Sequence, residues 1–251
     1  MGGHLLRGYT GCASESVSGL VFGVSGEDCR FLEYIMRIQD FKVVYICPDH
    51  NEKYHARKLH MDEMLTAIGF KDIVHFKSGT EGYPRCLANA NIDILTTYMN
   101  EPILLLEDDV EFTGISEFDF VHGADAIYFG LSVCAGHPTQ NVNEGTCVTE
   151  YYSKTQSRVL NMLGTHAILY ITPTYKQAVI NEMKVALGHT DIAISRIQPK
   201  FRILANRRPS FFQSANYNAP DHKNEYTLFM LNGNERVRDI KPYPFVRKSI
   251  Q

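Results

Sequence analysis

No apolar run in this sequence approaches the roughly 20 residues that a bilayer-spanning helix needs, so no transmembrane segment is expected. Nothing reads as a secretory signal. The first apolar stretch, Gly19 to Val24, is short and has no basic segment directly before it. Met1-Gly2 is followed by Leu6 where a myristoylation site wants serine or threonine. These absences point to the cytoplasm. There is no CxxC pair either: Cys12, Cys29, Cys47, Cys86, Cys134 and Cys147 lack a metal-ligand rhythm and are expected to be reduced, structural thiols. Positive charge is not in excess. With 25 Lys and Arg against 28 Asp and Glu, the net charge of -3 argues against a nucleic-acid binder that works by broad phosphate neutralisation. Repeats and linkers are also missing, so residues 1–251 are expected to form a single domain.

What is present is an ordinary globular composition, 44% hydrophobic and 21% charged, in a chain long enough to bury a full core. Residues 1–18 are rich in Gly and Ser and are expected to be loosely ordered. Leu20 to Val24 then reads as a strand, and a helix is expected from about Cys29 to Gln39. Lys42 to Ile46 reads as a β-branched strand. A helix begins at Asn51, with Met61, Met64, Leu65 and Ile68 on one face and Gly69 as its C-cap. Asp72 to Phe76 gives a strand, Ala88 to Met99 a helix stopped by Pro102, and Ile103 to Leu106 another strand. This alternation predicts an α/β fold with a Rossmann-type, mostly parallel central sheet flanked by helices.

Beyond residue 113 the rhythm changes. Ala124 to Leu131 and Gly164 to Ile171 read as strands, separated by a polar stretch from Ser132 to about Gln156 that suggests a lid or binding loop. Thr172-Pro173 starts a helix that Gly188 closes, and Ile192 to Ile197 forms a short one. The segment after Phe201 reads as irregular. Residues 19–112 and 113–251 would then be two halves of the one domain.

The chemistry concentrates in Ile103-Leu104-Leu105-Leu106-Glu107-Asp108-Asp109-Val110-Glu111-Phe112. Four aliphatics suit a strand buried on both faces, and the three carboxylates that follow must emerge at a sheet rim. An acidic turn would satisfy the sequence. So would a site for Mn²⁺ or Mg²⁺, whose hard oxygen ligands these are. Ligands bind outside the carboxyl ends of strands in such sheets, and Ser25, Asp49 and Glu107 to Asp109 all stand at strand ends.

ILLLEDDVEF resembles the DxD-type motif of GT-A fold glycosyltransferases, and is similar to the LEDDV signature of glycosyltransferase family 25, the lipopolysaccharide and collagen galactosyltransferase group. GTHAILYIT (Gly164 to Thr172) and His189-Thr190-Asp191 stand in the order that family has its corresponding pieces. Tyr83-Pro84-Arg85-Cys86-Leu87-Ala88-Asn89 keeps the family's cysteine and lacks its histidine. The resemblance implies a metal-dependent transferase moving a sugar from a nucleotide-sugar, expected to be a UDP-sugar, to a saccharide or glycoprotein acceptor, with inversion. It makes Asp109 and Glu107 metal ligands, completed by His222 with Gln213 behind it, and Asp108 a ribose contact. Asp191 becomes the general base, with His189 as substitute. Ser25 and Asp49 are candidate nucleoside contacts, Arg207 and Arg208 candidates for the diphosphate, and Tyr151 and Tyr152 for stacking on an acceptor sugar. Each residue also has a plain reading: turn former, helix cap, solvated loop or core packing.

Two other classes fit parts of the chain. An inactive sugar-nucleotide-binding protein would keep the fold without turnover. A phosphorelay receiver would also have an apolar strand ending in Glu-Asp-Asp, with Lys241-Pro242 as its lysine-proline pair. In a receiver, however, the acidic strand is the first and a later strand ends in a phosphorylatable Asp, whereas here Ala124 to Leu131 leads into Ser132.

Overall fold

The computed structural model describes residues 33–79, 82–186 and 188–214. The expected strand at Leu20 to Val24, together with Ser25, His222 and Lys241-Pro242, lies outside them.

In chain order the strands and helices are β1 (Glu33–Arg37), β2 (Lys42–Cys47), α1 (Glu52–Ile68), β3 (Ile73–Lys77), α2 (Arg85–Thr97), β4 (Ile103–Glu107), β5 (Val110–Phe112), β6 (Glu117–Val121) and β7 (Ala126–Tyr128). There follow β8 (Cys134–Gly136), β9 (Asn143–Thr146), β10 (Val148–Tyr151), β11 (Gln156–Asn161), β12 (Ala167–Tyr170), α3 (Pro173–Val185), α4 (Thr190–Ser195), β13 (Ile203–Asn206) and β14 (Phe211–Gln213). Eight strands make one mixed sheet in the order β10-β11-β13-β7-β12-β4-β2-β3. β3, β2 and β4 are mutually parallel, as are β7 and β13, while β12 runs antiparallel between β4 and β7. The α/β class is as the sequence implied. The sheet is mixed, because β12 reverses at its centre and β11 reverses near one edge.

β4 is central because its side chains are apolar on both faces. Ile103 and Leu105 pack into one cluster with Ile94 and Leu95 of α2 and Val179 and Met183 of α3. Leu104 and Leu106 pack on the other side with Met61, Met64 and Leu65 of α1. Burial of each such side chain contributes about 1.5–3 kcal/mol, so four in a row fix this strand in the middle of the sheet. α1 begins where expected: the Asn51 side chain accepts a hydrogen bond from the Tyr54 N–H at 3.1 Å. It ends at Gly69, whose φ of +98° favours the residue without a Cβ. At α3, Thr172 caps the helix by accepting from the Tyr175 N–H at 3.4 Å.

Three expectations are corrected. Residues 33–37, expected to be helical, form β1, which pairs with β6 and sets Tyr34 against Phe120 at 5.3 Å between ring centroids. An aromatic partner strand overrides the weak local helical pattern. The polar stretch 132–156 is not a plain loop but contains three short strands, β8, β9 and β10. The irregular segment after Phe201 contains β13 and β14, both short and largely buried. The four described cysteines, Cys47, Cys86, Cys134 and Cys147, are free thiols. No helix among the described residues is long and apolar enough to cross a membrane.

Candidate active site

The parallel register of β3, β2 and β4 brings their carboxyl ends to one rim. Chain reversals there deliver Pro48 and His50 after β2, Ser78 and Gly79 after β3, and Glu107, Asp108 and Asp109 after β4. Together with Tyr54, Arg57, Tyr83, Cys86 and Gln213 they line a cavity of about 550 Å³. A second cavity, of about 110 Å³, is lined by Gly164, Thr165, His189, Thr190 and Asp191. Tyr83, Leu87, Glu107 and Gln213 line both.

The acids divide by direction. Asp108 turns towards α1, where its Oδ1 accepts from an Arg57 guanidinium N–H at 2.9 Å, both side chains about nine-tenths buried. Burial holds the Asp108 carboxyl above its usual range, against the opposing pull of Arg57. Glu107 and Asp109 turn the other way, towards Gln213. Its amide nitrogen lies 3.5 Å from Glu107 Oε2 and 3.4 Å from Asp109 Oδ2, which are long, weak contacts. The Thr165 hydroxyl donates to Glu107 Oε1 at 2.6 Å. Burial first, and then the charge of Asp109, push the Glu107 carboxyl well above the ordinary carboxylate range. Burial and the charge of Asp108 raise that of Asp109. Two crowded carboxylates held up in this way gain most from an added cation.

The pairing of β14 with β5 sets Gln213 opposite Val110, and the Ser214 N–H donates to the Asp109 carbonyl at 2.9 Å. Behind Thr165 the ring of His166 is buried against Gly130. A Cβ built there would meet His166 Nε2 at 2.0 Å, so the close approach requires glycine.

Asp191 opens α4 on the wall of the smaller cavity. Its Oδ1 accepts from the Ile192 N–H at 2.9 Å and its Oδ2 from the Gly164 N–H at 3.3 Å. His189 precedes it, and its ring meets that of Tyr83 edge-on at 5.7 Å.

The fold thus brings Glu107, Asp108, Asp109, Asp191 and Gln213 to adjoining cavities. Asp49 stands at the same rim but binds His55 Nδ1 at 3.1 Å, and that partner lowers its pKa. Arg207 and Arg208 do not join them. They line a different cavity with Lys154 and Asp119, and the Arg207 guanidinium lies over the Tyr151 ring at 5.2 Å. Three site residues went unread in the sequence. Arg57 interrupts the apolar face that continues to Met61 and Met64, and a charge in that stripe was the available signal. Thr165 and Tyr83 carried none.

Among the described residues no three His, Cys, Asp or Glu side chains form a ready-made metal cluster. The chain offers two carboxylates and an amide at one point. That donor set fits a hard divalent ion that keeps positions for water and phosphate oxygens. No protein-family model matches the chain, and no curated protein matches it.

Proposed function

We propose that the chain is a metal-dependent glycosyltransferase of GT-A-like architecture, using a nucleotide-sugar, most simply a UDP-sugar, and a saccharide or glycoprotein acceptor. One observation carries this reading. Two acids whose carboxyls are both held up by burial and neighbouring charge stand together: Glu107 lies where a large cavity and a small one meet, and Asp109 lines the large one beside it. The large cavity has room for a nucleotide-sugar, the small one for the reacting edge of an acceptor.

Glu107 and Asp109 would hold Mn²⁺ or Mg²⁺. Such an ion neutralises the diphosphate as it leaves. Thr165 and Gln213 keep the two carboxylates aimed at one point. Arg57 ties Asp108 to α1, which leaves Asp108 as a wall of the cavity. Asp191 is placed to take the proton of the acceptor hydroxyl, and two backbone N–H groups fix its orientation.

The test is thermal-shift screening of UDP-, GDP- and dTDP-sugars with Mn²⁺. The wild-type protein is expected to be stabilised by one donor only when the ion is present. Asp109→Ala should lose that response while its own melting temperature stays level or rises, because a repulsion of about 1–2 kcal/mol is removed. Unchanged donor binding by this variant would refute the site. The hydrogen bonds that occupy both Asp191 oxygens also suit a second reading, a sugar-nucleotide binder without turnover. Donor turnover in the presence of Mn²⁺ separates the two.

A further inference from the structure

Tyr83 occupies an unusual place. It lies just ahead of α2 and lines both the large cavity and the small one. Two-thirds of the residue is exposed, whereas Tyr45, Tyr128, Tyr170 and Tyr175 are all fully buried. Its only ring contact among the described residues is the edge-on one with His189. The hydroxyl makes no hydrogen bond to a described residue. It shares the large cavity with Glu107 and Asp109 and the small one with Glu107 and Asp191. Among the described residues, the ring of His189 is the only aromatic one packed against this large, exposed side chain at the seam of the two cavities.

We propose that Tyr83, braced by His189, is a positioning residue that closes over the transferred sugar and keeps water from its anomeric carbon. This rests on the transferase reading given above. In productive transfer the acceptor oxygen forms a bond to that carbon, the bond from the carbon to the diphosphate oxygen breaks, and the acceptor proton passes to Asp191. Water at the same place would form the same bond, release free sugar and nucleoside diphosphate, and pass its proton to Asp191 or to solvent. Of the residues that line both cavities, Tyr83 alone carries an aromatic ring, broad enough to cover a sugar and exclude water from its reacting carbon. The aromatic face also suits the apolar face of a pyranose ring. The phenol oxygen is dispensable in this role and the ring is not.

The experiment measures UDP or GDP release from UDP-galactose, UDP-glucose, UDP-N-acetylglucosamine and GDP-mannose, with Mn²⁺ and without acceptor. Wild type, Tyr83→Phe and Tyr83→Ala are compared. Because the ring is outside the core, Tyr83→Ala should fold and still bind donor, weakened by no more than about tenfold through the lost ring contact, while its hydrolysis at saturating donor rises about tenfold. Tyr83→Phe should match wild type, and His189→Ala should show a smaller rise. A gain in rate is an outcome that structural damage does not produce. If Tyr83→Ala binds donor and hydrolyses it no faster than wild type, the proposal is wrong. If wild-type protein neither binds nor cleaves any of these donors, the transferase reading fails first and takes this one with it.

Discussion

At the scale of single residues, two charges differ in what their removal should do. Asp191 is held by backbone N–H groups and, among the described residues, by no salt bridge. Asp191→Asn should therefore fold and bind donor normally, while transfer slows by about 10²–10⁴-fold, the usual worth of a general base. Parallel isothermal titration and transfer assays check this, and near-normal transfer would remove Asp191 from the mechanism. Arg57 is the opposite case. It is buried against Asp108, so Arg57→Met leaves a carboxylate without its partner in the interior. A loss of about 3 kcal/mol in chemical unfolding is expected. Replacing both residues at once, as Arg57→Met with Asp108→Asn, should recover part of that loss, because the cost lies in the orphaned charge.

Among the elements, the joint between α2, β4 and α3 depends on a lysine that no pattern announced. Lys176 is fully buried, and its ammonium donates to the carbonyl oxygens of Tyr98 at 2.6 Å and of Glu101, with Met99 at 3.4 Å. It thereby ties down the turn between the end of α2 and the start of β4. Lys176→Met leaves these carbonyls unsatisfied and should cost about 2–4 kcal/mol in urea unfolding. A variant as stable as wild type would show that water serves them equally well. The elements that could be read from sequence share a physical property. α1, α2, β2 and β4 each carry a periodic apolar face or an uninterrupted aliphatic run together with a cap or a proline stop. β1, β13 and β14 were missed because three to five residues give no period, and partners distant in the chain decide their state. The acids of the candidate site were legible because three carboxylates after a buried strand demand an explanation. Gln213 was legible only in part. The displacement of Arg207 to another cavity was not, since it follows from how β13 joins the sheet.

For the molecule as a whole, the acid cluster sets a pH dependence with a definite sign. The carboxyls of Glu107, Asp108 and Asp109 bind protons more tightly in the folded chain than in the unfolded one. Their contribution is therefore fully present below the ordinary carboxylate range, and it is lost as pH rises through the higher folded-state values. Without divalent ions the protein should become less stable between about pH 5 and pH 8, against the upward trend usual for salt-bridged carboxylates. Glu107→Gln combined with Asp109→Asn should flatten that profile. Mn²⁺ should raise the melting temperature more at about pH 8 than at about pH 5.5, because the ion competes with the protons. Melting curves across this range, with and without Mn²⁺, decide the matter, and an Mn²⁺ effect independent of pH would contradict the assignment. The β14–β5 ribbon carries a different consequence. It sets Gln213 beside acids 104 residues earlier in the chain. On the ribosome, the carboxylate pair emerges long before the strand that supplies its amide neighbour. Until residue 213 has emerged, the nascent chain carries the carboxylate pair without that amide, and a divalent ion is the natural substitute for it.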